Sequence, residues 1–393
     1  MIHLSASLAL LATIAVIVVW SVDSTSSAAS AHECHLYLGP SSILNAGRGV
    51  FAGANLSNST ILAESRAIPV LRNHTTQCQL DNYVFDTGFD DFCMIIIGLG
   101  SLFNHNIPPS VGYVWGEGHL VNPLDTEDEG YSQFLRTEFK ANQDVIPGQE
   151  LFISYGGSWL SERGYSEGNE TAVHMALSFN DSYLCASTIT LDTSSIPNAG
   201  LGVFATRSFK KGELVSFSPV LALDEELVAD TFDSSTLMNY CLAAEESQVV
   251  LLPLAPIGLV NHADEPNVYV NWLNWPSTNR LEETLQLPVD ALLRLPYAPL
   301  DIAYYASRDI QEGEELFMDY GHRWSTAWAE YVQCLESPEE SCASFRHFIV
   351  VPQSMFPEHW LDEEEVMPMG REEEGEFVQE NVEFVHEIRS NEL

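Results

Sequence analysis

The sequence predicts a mostly β chain with helical insertions, of the α+β class, built from two tandem copies of one fold. Three recurring blocks carry that prediction. Residues 41–52 (SSILNAGRGVFA) and 194–205 (SSIPNAGLGVFA) agree at ten of twelve positions, at an offset of 153. Leu102-Phe103-Asn104-His105 returns as Leu259-Val260-Asn261-His262 at an offset of 157, and residues 144–156 (DVIPGQELFISYG) return as 309–321 (DIQEGEELFMDYG) at an offset of 165. A Trp follows the Tyr of the last block by four residues in both copies, at Trp159 and Trp324. A period of this length is that of a domain, since solenoid repeats run to about 20–50 residues. The offset grows along the chain, as small loop insertions in the second copy would make it.

The elements follow in order. Gly49-Val50-Phe51-Ala52 and Ile61-Leu62-Ala63 are short apolar runs with polar breaks, which read as strands. Leu151-Phe152-Ile153-Ser154-Tyr155 and Leu316-Phe317-Met318-Asp319-Tyr320 are β-rich and follow the turn signals Pro147-Gly148 and Glu312-Gly313. Helical periodicity lies mainly between the blocks, as at 224–246, and predicts a helical insertion before the second Asn-His. The first unit is expected over residues 34–159 and the second over 183–324. Residues 160–182, polar and rich in Gly and Ser, read as a linker. Residues 325–357, aromatic and Cys-bearing, are expected to pack on the second unit. Residues 358–393 carry DEEE and REEE runs whose like charges repel, so this tail is expected to be disordered.

With 393 residues, 46% hydrophobic and 18% charged, the chain is globular and long enough for two cores. Its formal net charge of -40 opposes nucleic-acid binding, which needs Lys and Arg facing phosphates. The charge favours a basic protein partner through long-range steering; a strongly solvated surface is the alternative.

Residues 4–20 form an unbroken run of apolar and small residues, and Ala29-Ser30-Ala31 offers a cleavage site. Residues 1–31 therefore read as a secretory signal peptide, with an uncleaved membrane anchor through 4–20 as the alternative. The Asn-x-Ser/Thr sites at Asn55, Asn58, Asn73, Asn169 and Asn180 agree with a secreted or luminal glycoprotein. Seven cysteines in an oxidising compartment predict disulfides and at least one cysteine left over. Cys78–Cys93 and Cys334–Cys342 close the shortest loops. No C-x-x-C pair occurs, so no metal site is expected.

Gly-x-Gly, then Asn-His 57–61 residues later, then a strand ending in Glu-Leu-Phe-x-x-Tyr-Gly resembles the SET domain, the fold of protein-lysine methyltransferases. The first copy offers Gly47-Arg48-Gly49, Asn104-His105 and Tyr155. The second offers Gly200-Leu201-Gly202, Asn261-His262 and Tyr320, and its Asn261-His262-Ala263-Asp264-Glu265-Pro266-Asn267 is similar to the family's NHSCxPN block. The resemblance implies a β-clip fold with a knot-like crossing, in which the side chains of Asn104 and Asn261 tie backbone together. It implies S-adenosylmethionine as cofactor, with the Gly-x-Gly backbone approached closely and the Asn-His pair binding it mainly through backbone groups. It implies Tyr155 and Tyr320 as catalytic tyrosines that orient a lysine amine of a protein substrate. Ser110 stands where the motif has its second Asn, so the second copy is favoured as the active one. Neither copy carries the cysteine cluster that follows the SET domain in many histone-directed relatives.

The leading functional reading is thus a SET-type protein-lysine N-methyltransferase. The alternative is a non-catalytic secreted or luminal pair of SET folds acting as a binding protein. Luminal cation buffering by the Glu-rich tail is a third reading. Taken singly, the glycines also fit strand-entry turns, and the His and Tyr residues also fit satisfied interior side chains.

Overall fold

The computed structural model describes residues 34–43, 46–75, 79–116, 136–162, 183–197, 199–231, 237–274, 280–335, 345 and 347–361. The expected signal segment, most of the 160–182 linker, the tail beyond 361, Asn169, Asn180, Cys78 and Cys342 lie outside the described residues.

The first copy contributes nine strands: β1 (Leu36–Pro40), β2 (Arg48–Ala52), β3 (Ile61–Leu71), β4 (Val84–Asp86), β5 (Phe92–Ile97), β6 (Asn104–His105), β7 (Val111–Trp115), β8 (Arg136–Ala141) and β9 (Glu150–Ile153). β10 (Leu184–Cys185) leads into the second copy. There the nine return as β11 (Ile189–Thr193), β12 (Leu201–Ala205), β13 (Leu214–Asp224), β14 (Leu242–Ala243), β15 (Val249–Pro253), β16 (Asn261–His262), β17 (Val268–Trp272), β18 (Leu300–Ala306) and β19 (Glu315–Met318). β20 (Ile349–Val350) follows. The helices are short: α1 (Arg72–Thr75), α2 (Trp159–Glu162), α3 (Arg280–Leu285), α4 (Val289–Leu293) and the longer α5 (His322–Leu335).

The two copies share one topology. The small sheets run β1-β2-β9-β6 and β11-β12-β19-β16; the large sheets run β4-β5-β3-β8-β7 and β14-β15-β13-β18-β17. β10 extends the first small sheet by pairing with β1, and β20 extends the second large sheet by pairing parallel to β14. In each copy the Asn-His strand pairs parallel with the last strand, Asn104 with Phe152 and Asn261 with Phe317. That pairing brings blocks about 50 residues apart in sequence to adjacent positions.

The central strands bury both faces. All six residues of Phe92–Ile97 and all five of Val249–Pro253 are buried, which is why they read as continuous apolar runs. Full burial of such side chains is worth about 1.5–3 kcal/mol each. The hydrophobic cluster continues from one copy into the other. Gly98 N–H, just after β5, donates to Leu254 O, just after β15, and Ser101 Oγ donates to the same carbonyl at 3.4 Å. A disulfide joins Cys34, before β1, to Cys185 in β10.

Two expectations are corrected. Cys93 is a free, buried thiol and forms no bridge with Cys78; burial pushes its pKa up to about 11. Cys334 is disulfide-bonded to a partner outside the described residues. Among the described residues the stretch 224–246 holds single turns at Leu227–Thr231 and Leu237–Tyr240, followed by the strand β14. Its apolar residues Leu237, Cys241 and Leu242 each drop into the core rather than forming one helical stripe. The longer helices fall after the Asn-His block and after Tyr320 instead.

One buried carboxylate organises each small sheet. Glu315 accepts hydrogen bonds from Ser194 Oγ at 2.7 Å, from Ser195 N–H at 2.7 Å, from Ser195 Oγ at 2.5 Å and from Asn261 Nδ2 at 3.2 Å. Glu150 accepts the same set from Ser41, Ser42 and Asn104. Burial penalises the Glu315 carboxylate, yet the hydrogen bonds from Ser195, Ser194 and Asn261 outweigh that and hold its pKa below the usual value. We expect Glu315→Ala to cost about 2–4 kcal/mol in urea unfolding, because four donors lose their acceptor. A depressed pKa contributes stability above the unfolded-state value of about 4.3 and loses it as pH falls through the folded value. The stability gap between wild type and Glu315→Gln should therefore narrow below about pH 4.3.

Candidate functional site

The carboxylate explains the second glycine of each Gly-x-Gly. A Cβ on Gly202 would overlap Glu315 Oε1, and one on Gly49 would overlap Glu150 Oε1. These two glycines thus make room for the chain's own carboxylate. The first glycines, Gly47 and Gly200, have φ of +72° and +73°, the left-handed region that glycine adopts at no steric cost.

The Asn-His strand crosses this node. Asn261 Nδ2 donates to Leu201 O at 2.9 Å and to Ser194 Oγ at 3.1 Å; Asn104 Nδ2 donates to Arg48 O at 2.8 Å and to Ser41 Oγ at 3.0 Å. The asparagines stitch three separate segments of backbone together in each copy. His262 Nδ1 accepts from Tyr320 N–H at 3.1 Å, and His105 Nδ1 accepts from Tyr155 N–H at 2.9 Å. A neutral imidazole whose Nδ1 accepts must carry its proton on Nε2. In the second copy that nitrogen lies 3.3 Å from Ser325 Oγ.

The tyrosines are placed alike. Tyr320 donates from its hydroxyl to Val260 O at 2.5 Å, and Tyr155 donates to Phe103 O at 2.9 Å. Burial, with a neighbouring tyrosine, raises both pKa values well above the ordinary 10, so both stay neutral phenols at physiological pH. The neighbours are Tyr240 beside Tyr320 and Tyr83 beside Tyr155. Tyr304 on β18 lies close enough for charge on Tyr320 to raise it too, though its own burial dominates.

Aromatic rings complete the second copy. Trp324 on α5 sits edge-on to Tyr320 at 4.8 Å and 5.2 Å from His262. Trp328 stacks on Trp324 at 5.5 Å, and Phe345 packs edge-on to both. Val350 N–H on β20 donates to Tyr320 O. The indole N–H of Trp324 is buried and has no hydrogen-bond partner among the described residues.

The structure brings together Gly200, Leu201, Gly202, Asn261, His262 and Tyr320, and equally Gly47, Arg48, Gly49, Asn104, His105 and Tyr155. The surroundings differ. No described atom lies within 4 Å of where a Cβ on Gly200 would stand, whereas Tyr297 and Ala298 O stand 3.9 Å from the same point on Gly47. Arg48, between the first copy's glycines, pairs with Asp301 on β18 of the second copy at 2.5 Å.

Ser110 is no defect in the first copy. Asn267 Oδ1 accepts from Phe317 N–H at 2.7 Å, and Ser110 Oγ accepts from the equivalent Phe152 N–H at 2.9 Å. Asn267 adds a donation to Glu315 O at 2.7 Å that serine does not reproduce. Sequence reasoning missed the carboxylates and the second tyrosines. Their signal was present: Ser-Ser and Glu recur inside the duplicated blocks, and Asn82-Tyr83 recurs as Asn239-Tyr240 at the same 157 offset as Asn-His.

The sequence profile of the SET domain matches residues 47–156 and 200–321. The two segments cover more than half of the chain, and the chain belongs to the SET domain family, a family of protein-lysine methyltransferases that generally use S-adenosylmethionine. A search of curated proteins returned no match. Among solved structures, a candidate histone methyltransferase of Plasmodium falciparum is 26% identical, with a TM-score of 0.24, over 35% of this chain and 96% of that one. An active Polycomb repressive complex 2 in the basal state is 19% identical, with a TM-score of 0.25, over 34% of this chain and 15% of that one. A humanized mutant of the Chaetomium thermophilum complex bound to the inhibitor GSK126 is 20% identical, with a TM-score of 0.23, over 31% of this chain and 15% of that one. The family assignment rests on the two matched segments.

Asn267→Ser should cost about 1 kcal/mol in chemical denaturation, and less than Asn267→Ala, because serine keeps the acceptor for Phe317 N–H. Equal losses for the two variants would refute the shared role of Ser110 and Asn267.

Proposed function

We propose that the chain is an S-adenosylmethionine-dependent protein-lysine N-methyltransferase whose site lies in the second copy. Gly200, Leu201, Gly202, Asn261 and His262 would hold the cofactor, and Tyr320 would position the lysine amine. One observation carries the reading: the buried, unpartnered indole N–H of Trp324 beside His262 and Tyr320. A buried donor without a partner costs about 1–3 kcal/mol, which a ligand acceptor would recover. The edge position of β16 in its sheet supports the same reading, since an edge strand leaves backbone groups for a ligand.

When bound, the cofactor supplies a methyl group on a positively charged sulfur. The chain's own residues do the rest. Tyr320 donates its hydroxyl hydrogen bond to Val260 O, so its hydroxyl lone pairs remain to accept from the incoming amine. Its raised pKa keeps it from acting as the base. Free lysine is only about 0.1% neutral at pH 7.4. The aromatic surroundings of Tyr240, Tyr304 and Trp324 favour the neutral amine by desolvation. His262, accepting from Tyr320 N–H, fixes the strand end that carries the phenol.

We assign the chain to the secretory route, as a secreted or luminal protein acting on a basic protein substrate. The Cys34–Cys185 disulfide supports an oxidising compartment, and Asn55, Asn58 and Asn73 are all exposed. No helix among the described residues is long and apolar enough to cross a membrane. A non-catalytic binding role is the second reading, favoured by the cover over Gly47 in the first copy.

Calorimetry of the mature chain with S-adenosylhomocysteine should show binding at about micromolar Kd. Tyr320→Phe should leave that affinity within about twofold while lowering methyl transfer at least about 100-fold. Absence of both heat and thermal shift would sink the cofactor reading.

A further inference from the structure

The residues over Gly47 belong to the connection between β17 and β18, and they reach further than that glycine. Asn82 Nδ2 donates to Pro296 O at 3.2 Å. Ala298 N–H donates to the Tyr83 hydroxyl at 2.9 Å. Tyr83 neighbours Tyr155, as Tyr240 neighbours Tyr320. The segment Pro296-Tyr297-Ala298 therefore stands over the Gly-x-Gly turn, filling the space beyond Gly47, and is hydrogen-bonded to Tyr83 of the tyrosine pair.

Buried contacts fix its two ends. Before the segment, Gln79 Nε2 donates to Leu292 O at 2.8 Å, while Gln79 Oε1 accepts from Ala222 N–H at 3.0 Å. After it, Arg48 pairs with Asp301, their side chains only 9% and 8% exposed. All these links join a first-copy side chain to second-copy backbone or side chain.

We infer that Pro296-Tyr297-Ala298 is an internal strap occupying the ligand face of the first copy, so that the chain offers one ligand site, in the second copy. The first copy serves as the seat for the connection entering β18, the strand that carries Tyr304 against Tyr320. A ligand approaching Gly47 must displace the strap and part Ala298 from Tyr83. That the remaining site takes S-adenosylmethionine rests on the proposed function; the strap itself does not.

Hydrogen exchange read by mass spectrometry on the full chain, with and without S-adenosylhomocysteine, separates the two. Pro296 and Pro299 have no amide hydrogens, so a short peptide there reports on Tyr297 and Ala298 alone. Without ligand, Ala298 should exchange at least about tenfold more slowly than an unstructured amide. Tyr83→Phe, which removes only the acceptor, should speed that exchange and leave residues 199–204 unchanged. With ligand, one equivalent should bind, slowing exchange at 199–204 and 261–264 but not at 46–50. Unprotected Ala298, no response to Tyr83→Phe, or two equivalents with slowing at 46–50 would overturn the strap. If no equivalent binds, the cofactor reading falls, and the strap stands or falls on the Ala298 data.

Discussion

A carboxylate held in each small sheet, Glu150 in one copy and Glu315 in the other, is the constraint from which the rest of the architecture follows. An ionised carboxylate out of water is costly unless donors converge on it. Two serines and an asparagine supply them in both copies. Those donors come from the turn before Gly-x-Gly and from the Asn-His strand, so satisfying one charge fixes the crossing of three chain segments. The second glycine follows, because its missing Cβ leaves the carboxylate its place. The histidine and tyrosine follow in turn: His262 sits one residue after Asn261 and accepts from the backbone of Tyr320, whose hydroxyl returns to Val260.

Much of this was legible in the sequence because duplication acts as an internal comparison. The strands around Val50 and Val203 follow from blocks held in order; the meeting of Asn-His with Glu-Leu-Phe-x-x-Tyr follows from the resemblance to the SET domain. The role of the second glycine was not legible, since a Gly-x-Gly pattern does not say what fills the missing Cβ. The helix expected over 224–246 failed for a related reason. Apolar residues there are spaced for a helix, yet Leu237, Cys241 and Leu242 are claimed one at a time by the core between sheets. Ser110 misled in the opposite sense: the residue type changed while the hydrogen bond to the backbone of the last strand persisted.

The real inequality between copies sits where no motif reports it. The opening blocks are nearly identical, but at Arg48 and Leu201 they differ, and Arg48 is the residue that pairs with Asp301 of the other copy. Contacts of this kind, over 200 residues apart in sequence, arise only once both copies have folded against each other. The continuous hydrophobic cluster and the Cys34–Cys185 bridge make the pair one body rather than two beads. Duplication of the fold thus leaves one Gly-x-Gly turn open at Gly200 and the other approached by Tyr297 and Ala298 at Gly47.

The central claim is that a single cofactor site lies in the second copy. Ultraviolet cross-linking of radiolabelled S-adenosylmethionine to the full chain, followed by peptide mapping, tests it most directly. Label confined to peptides containing 199–204, 261–264 or 320–328 is the predicted result. Label at 46–50 or 104–107, or no cofactor-competable label at all, would contradict it.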